Sequence, residues 1–208
     1  MEHVDEKILS VLEAQQREQE KKELRNTQLH DVIKEIKQGL IVESGTEMEQ
    51  KHFFGKKLAL YMPKYFHEMT AAHIKVKYPN ENRPKLLYTN DMDSINIGIN
   101  MIEDEEEFTS DDVIDFRDIM LDSFMSTSPS SKVYDKGEIT IGEDTENERL
   151  IAYYCFNSFA MGGAMYNLIF NTLLDGAMAI VSINCSIKDK PANELMFYGI
   201  MHTTVVNI

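Results

Sequence analysis

The sequence predicts an α+β fold: an antiparallel β-sheet with helices packed on both faces, preceded by a long N-terminal helix or a helical hairpin. Three observations carry this. Asp175-Gly176, set between Leu174 and Ala177, is the dipeptide of a type I′ turn, whose central residues need positive φ and whose twist suits a tight hairpin. Counting outward from that turn, Leu174 faces Ala177, Thr172 faces Ala179, Phe170 faces Val181, Leu168 faces Ile183 and Tyr166 faces Cys185, so one mainly apolar side emerges. A slip of one residue would send that whole set to the other face. At the other end of the chain, Ile8, Leu12, Gln15, Gln19, Lys22, Asn26, Leu29, Ile33, Ile36 and Leu40 fall in one heptad frame, apolar at both ends and polar in the centre.

The second face of the hairpin pairs Leu173 with Met178, Asn171 with Ile180, Ile169 with Ser182 and Asn167 with Asn184, half apolar and half polar. The preceding run from Leu150 to Ala160 connects through Met161-Gly162-Gly163. If those three residues form the loop, Tyr154 pairs with Phe170 and Phe156 with Leu168, while Ile151, Tyr153 and Cys155 turn to the opposite side; a two-residue loop at Gly162-Gly163 would put the strand one step out. A strand apolar on both sides is covered on both sides, so the segment reads as a meander near the middle of a sheet.

The N-terminal run from residue 4 to 40 reads as helix, with Gly39 as its C-cap. Two forms fit: one long helix whose polar centre, Gln15 to Glu23, stays in water, or a hairpin turning near Arg25-Asn26-Thr27. After Ser44-Gly45 the pattern becomes extended. Leu58, Leu60 and Met62 alternate with Ala59 and Tyr61 until Pro63, and Ile74, Val76 and Tyr78 alternate with Lys75 and Lys77 as a half-solvated strand. Residues Pro79 to Pro84 form a loop, and Leu86 to Thr89 and Ile95 to Met101 are further strands; the polar side of the last, Ser94, Asn96, Gly98 and Asn100, meets water or other polar groups. Thr109 or Ser110 opens a helix with Val113, Phe116, Met120 and Phe124 on one stripe, and Ser126 to Ser131 closes it as a loop. Ile139 and Ile141 mark a short strand. Pro191, in a first helical turn, starts a terminal helix that runs through Gly199.

Composition bounds the function. With 208 residues the chain holds one well-buried domain and an appendage, expected as a helical arm over 1–45 and a sheet domain over 46–208. A formal charge of -14 argues against a nucleic-acid partner and favours a basic protein partner. No apolar run approaches the roughly 20 residues of a membrane span, so no membrane partner is expected. The opening Met1-Glu2-His3-Val4-Asp5-Glu6 lacks the basic and apolar regions of a secretory signal. Cys155 and Cys185, expected on opposite faces of strands separated by a third, read as free thiols of a cytoplasmic protein.

Chemistry is sparse. The run Glu103-Asp104-Glu105-Glu106-Glu107 has neither ligand spacing nor a glycine-turned loop and reads as a solvated turn. Nucleophile elbow, phosphate loop, zinc spacing and dinucleotide fingerprint are all missing, and the six histidines do not cluster in sequence. No cofactor, metal or catalytic residue is therefore assigned.

The order of elements resembles the Mog1/PsbP-like fold, including bacterial domains of the DcrB type. The likeness covers about residues 50 to 208: Leu58 to Pro63, Ser94 to Met101, the helix from Ser110, the meander from Leu150 to Ser186 and the helix after Pro191. It implies an antiparallel sheet with helices on both faces and a role as a binding or accessory protein. Nuclear transport members bind a small GTPase and photosynthetic members dock on a membrane complex. No functional residue of the family matches a motif here, and the helical arm is a departure. The reading is a non-catalytic interaction module, such as a chaperone, adaptor or inhibitor of a basic partner. Its arm would bind a partner or a second copy through Ile8, Leu12, Leu29, Ile33 and Ile36. The alternative is a small-molecule carrier or enzyme with a pocket between a covering helix and the face that holds Asn167, Asn171 and Asn184.

Overall fold

The computed structural model describes residues 2–81, 83–143, 145, 147–160 and 162–207, with side chains described from residue 14 onward. The elements in order are α1 (Glu2–Gln38), β1 (Leu40–Ile41), β2 (Thr46–Phe53), β3 (Leu58–Pro63), β4 (His67–Glu68), α2 (Ala71–Lys77), β5 (Leu86–Thr89), β6 (Ile95–Ile102), α3 (Asp112–Thr127), β7 (Val133–Ile141), β8 (Arg149–Ala160), β9 (Gly163–Leu174), β10 (Ala177–Ser186), α4 (Lys190–His202) and β11 (Val205–Val206), with one 3₁₀ turn at Phe54–Lys56. A seven-stranded antiparallel sheet runs β4-β5-β6-β10-β9-β8-β7, and a four-stranded sheet runs β1-β2-β3-β11.

The type I′ turn is present. Asp175 and Gly176 have φ of 48° and 73°, and every predicted pair from Leu174 with Ala177 to Tyr166 with Cys185 is formed. A Cβ on Gly176 would lie 2.9 Å from the Glu107 side chain, so the acidic loop seats against the turn, where Phe108 N–H also donates to the Gly176 carbonyl.

The β8 register is one residue away from expectation. Ala160 pairs with Gly163, so two residues make the loop, and Tyr153, not Tyr154, lies opposite Phe170 while Cys155 lies opposite Leu168. Gly163, at φ 115°, absorbs the tighter reversal inside the strand. Ile151 and Cys155 therefore join the Phe170 and Leu168 face, and Tyr154 and Phe156 turn to α3. This also corrects the cysteines: Cys155 and Cys185 share one face, both buried and free, kept apart by β9.

One face of the large sheet, built from Ile97, Ile99, Ile151, Leu168, Phe170, Val181 and Ile183, packs on α4 and on Leu58, Leu60 and Met62 of the small sheet. The other packs on α3 through Val113, Met120, Leu121 and Phe124. Helix α3 starts in reverse of the usual cap: Thr109 donates from its N–H and its hydroxyl to the Asp112 carboxylate, each at 2.7 Å. The expected strand around Ile74 to Tyr78 is a helix, because the Thr70 hydroxyl accepts from His73 N–H at 3.3 Å and starts a turn that Ala71 and Ala72 sustain. Strand β2, with Met48 and Phe53 buried among polar neighbours, is an additional element that forms the flank of the small sheet.

Candidate interaction surface

The arm is one helix. At 37 residues it is about 55 Å long. Its two halves differ in surroundings. From Leu29 onward it belongs to the folded body: Ile36 is 0% exposed, and Leu29 and Val32 pack against the same core. The contact with α4 is close. A Cβ on Gly199 would stand 2.5 Å from Ile36 Cδ1 and 3.0 Å from Val32 Cγ1, so this glycine is what lets the two helices approach. Residues 14–28 are exposed throughout. Gln16 donates to Glu20 and Gln19 to Glu23, each at 3.3 Å, one turn apart, which supports a solvated helix without packing.

Where the arm leaves the body, a polar cluster holds it. Arg25 pairs with Glu194 at 3.1 Å and lies 5.1 Å over the Tyr198 ring. Tyr166 donates to the same Glu194 at 3.2 Å, and Lys190 approaches it at 3.5 Å. Tyr198 donates to Asp135 at 2.6 Å, Tyr153 donates to the same oxygen at 3.2 Å, and the Cys155 Sγ sits 3.2 Å from the Tyr198 hydroxyl. Burial pushes the Tyr153 hydroxyl up to about 12, with Asp135 adding to it. Burial likewise raises Tyr166 and Tyr198, and takes the Cys155 thiol up to about 11. At neutral pH these groups are protonated and bonded to one another. A thiol so held is a poor nucleophile, and the cluster acts as a fastening between α1, α4 and the sheet.

Arg25 meets Glu194 and Tyr198, Val32 and Ile36 meet Gly199, and Lys37 lies near enough to His202 to help burial lower that imidazole's pKa. The two helices thus run in the same sense. The distal half of α1 therefore leaves the body at the N-terminal end of α4, the end where β8 and β9 turn over.

The sequence-predicted partner residues divide accordingly. Leu29 and Ile36 face this chain's own α4, Ile33 is half-buried beside them, and the side chains of Ile8 and Leu12 lie outside the described ones. The α4-facing stripe is Arg25, Leu29, Val32 and Ile36, and the same heptad spacing continued upward reaches positions 4, 8 and 11.

The other sites weighed in the sequence resolve as structure. Asn171 donates to the Val113 carbonyl at 2.8 Å, Asn167 to Ser158 at 3.0 Å, and Asn184 accepts from Asn96 at 2.9 Å, so all three amides have partners inside the chain. His67 lies beside Asp91 and His73 beside Asp93, two separate pairs in which both histidines are exposed. Among the described residues, no three His, Cys, Asp or Glu side chains are placed to hold a metal ion. Sequence reasoning passed over Arg117, which is 2% exposed and donates to the Gly137 carbonyl at 2.9 Å, to Asp118 at 2.8 Å and to Glu138. Its place one turn after Val113 on the apolar stripe was the available signal.

No family model matches the sequence. No curated protein matches it either. Solved structures do match in fold. The solution structure of cyanobacterial PsbP (CyanoP) from Synechocystis aligns with a TM-score of 0.55 at 8% identity, over 77% of this chain and 92% of that one. LpqN of Mycobacterium tuberculosis, described as involved in cell envelope biogenesis, gives 0.49 at 10% identity over 80% and 95%. The Saccharomyces cerevisiae Ran-binding protein Mog1p gives 0.44 at 9% over 76% and 92%. The chain has a Mog1/PsbP-like fold, with mixed α and β elements and an N-terminal helix. Among the described residues, no helix is long and apolar enough to cross a membrane.

Proposed function

We propose that this PsbP-like body is a non-enzymatic binding module whose projecting helix engages another protein, either a partner or a second copy, in the cytoplasm. One observation carries the reading: residues 14–24 of α1 are exposed on every side, so that stretch adds nothing to the core of its own body. Held by pairs one turn apart, such a helix is costly to order unless something else binds it. Beyond it, helical spacing puts Val4, Ile8, Val11 and Leu12 on one apolar stripe.

The charge distribution supports a basic client for the remaining surface. Asp111 at the N-cap of α3 and Asp115 and Asp122 along it are exposed just after the exposed Glu103–Glu107 run, while Asp118 between them is already paired with Arg117 and Lys136. A chaperone, adaptor or inhibitor of a basic protein fits that arrangement. The test is affinity capture from native lysate with the full chain and with residues 25–208. Loss of the captured protein or of self-association on removing residues 1–24, with the melt unchanged, is the expected result. Identical capture and identical mass for both chains would refute the reading.

A further inference from the structure

We propose that the partner of the arm is a second copy: the free end of α1 docks on the β8–β9 hairpin tip of the other molecule, which returns the contact, giving a two-fold dimer. This rests on the reading of the arm as a binding element and adds both the partner and the surface that accepts it.

The acceptor is a finger. Strand β10 ends its ladder at Ser186 opposite Met165, with Ile187 N–H still donating to the Ala164 carbonyl, and β7 ends at Val133 opposite Phe156, so residues 158–160 and Gly163 continue with no further strand beside them. Residues 158–160 reach about 10 Å past the end of β7. Phe159 is 63% exposed there. From Leu150 to Leu174 the chain carries no charged residue at all. A large apolar side chain on an uncharged, projecting tip is a surface awaiting a cover.

Charge favours the second copy's arm as that cover. The segments that meet at the finger end, 124–134, 150–174 and 186–193, hold Lys132, Lys188 and Lys190 against Asp189; Glu194 pairs with Lys190 at 3.5 Å, which leaves Lys132 and Lys188 against Asp189, a formal +1 on a chain whose net charge is -14. Lys132 flanks β8, its N–H donating to the Asn157 side chain, and Ile187, next to Lys188, donates to the Ala164 carbonyl beside β9. Residues 2–13 of the arm carry Glu2, Asp5, Glu6 and Glu13 against Lys7, a formal -3, around the apolar positions 4, 8, 11 and 12. An apolar stripe with acidic flanks thus meets an apolar finger with basic flanks.

Geometry makes the exchange reciprocal. Helix α4 runs from Lys190, near the finger, past Tyr166 toward Tyr153 and Tyr198, and α1 runs in the same sense, so arm and finger leave the body at one end. Beyond Arg25 the arm extends about 35 Å. Two copies facing each other across a two-fold axis place each arm beside the other's finger, an isologous contact that closes on itself.

Sedimentation velocity over a range of concentrations and at two salt strengths tests this on the full chain and three variants. The full chain is expected to dimerise. Ile8→Asp/Leu12→Asp and Phe159→Asp should each weaken dimerisation at least about tenfold with unchanged melts, and Lys188→Glu should weaken it in low salt. An equimolar mixture of the arm and finger variants should recover a heterodimer, since one arm–finger contact stays intact. A monomeric full chain, or a mixture that stays monomeric, would overturn the proposal while leaving capture of another protein by the arm open to its own test. A dimer lost with the arm variant but kept with Phe159→Asp would retain the arm and reject this acceptor.

Discussion

Gly199→Ala puts the contact between α1 and α4 to a quantitative test. In an isolated helix the change stabilises by about 1 kcal/mol, because glycine has more backbone freedom to lose. Here the new methyl would lie 2.5 Å from Ile36 Cδ1 and 3.0 Å from Val32 Cγ1. Ile36 is fully buried and has little room to turn away, so overpacking of about 1–3 kcal/mol applies. The net expectation is a loss of about 1 kcal/mol. Ile36→Ala alone removes the obstructing Cδ1 and leaves a cavity, costing about 2–5 kcal/mol. In that background Gly199→Ala should become neutral or stabilising by up to about 1 kcal/mol, since the added methyl fills part of the space. Urea denaturation followed by circular dichroism on all four chains gives the coupling, expected at about 1–2 kcal/mol. Equal effects of Gly199→Ala in both backgrounds would refute the claim that α1 is pressed on α4 at this glycine.

Alkaline stability should fall between about pH 10 and 12. Tyr153, buried and beside Asp135, titrates at about 12 in the fold against 10.0 for its ordinary value. A group raised in the folded state contributes stability that is complete below the unfolded value and lost as pH climbs through the folded one. Melting temperature and tyrosinate absorbance should fall and rise together across that window, with a flat melting temperature as the contrary outcome. Asp118 behaves oppositely: hydrogen bonds from Arg117 and Lys136 hold it at about 2, so its contribution is present above 3.8 and fades toward pH 2, which a carboxylate NMR titration reads directly. Arg117→Met should lower stability by about 1–3 kcal/mol through the orphaned Gly137 carbonyl, since Asp118 and Glu138 are exposed enough to rehydrate. Gly176→Ala, at φ 73° and against Glu107, should cost about 1 kcal/mol or more in the same assay.

The fold was legible where a local rule and a burial pattern agreed. Asp175-Gly176 set a turn, the turn set a register, and the register sorted Phe170, Leu168, Val181 and Ile183 to one face, each step limiting the next. Strand β8 defeated the same logic because Ile151, Tyr153 and Cys155 are as apolar as Tyr154 and Phe156. Both of its faces are covered, so the pattern reads equally well in either register, and the two-residue loop decided it. At Ile74 to Tyr78 a short alternation imitated a strand, while the Thr70 cap and two alanines settled the helix. Strand β2 was hidden by its polar side chains, which suit the flank of a small sheet. The arm was half legible: heptad spacing found Leu29 and Ile36 but passed over Val32 and Arg25, which meet α4 at Gly199, Glu194 and Tyr198. Spacing marks a contact stripe without naming what covers it, and here the cover for its lower half is the chain itself.

Comparative melts of residues 25–208 and 39–208 against the full chain test the division of α1 most directly. Removing residues 1–24 takes away a stretch that is exposed from residue 14 onward and should leave stability within about 0.5 kcal/mol at concentrations where the chain is monomeric. Removing residues 1–38 strips Ile36, Val32 and Leu29 from α4 and should cost several kcal/mol or abolish folding. Equal stability of the two shortened chains, or a large loss on removing the first 24 residues alone, would contradict a helix that is half body and half free arm.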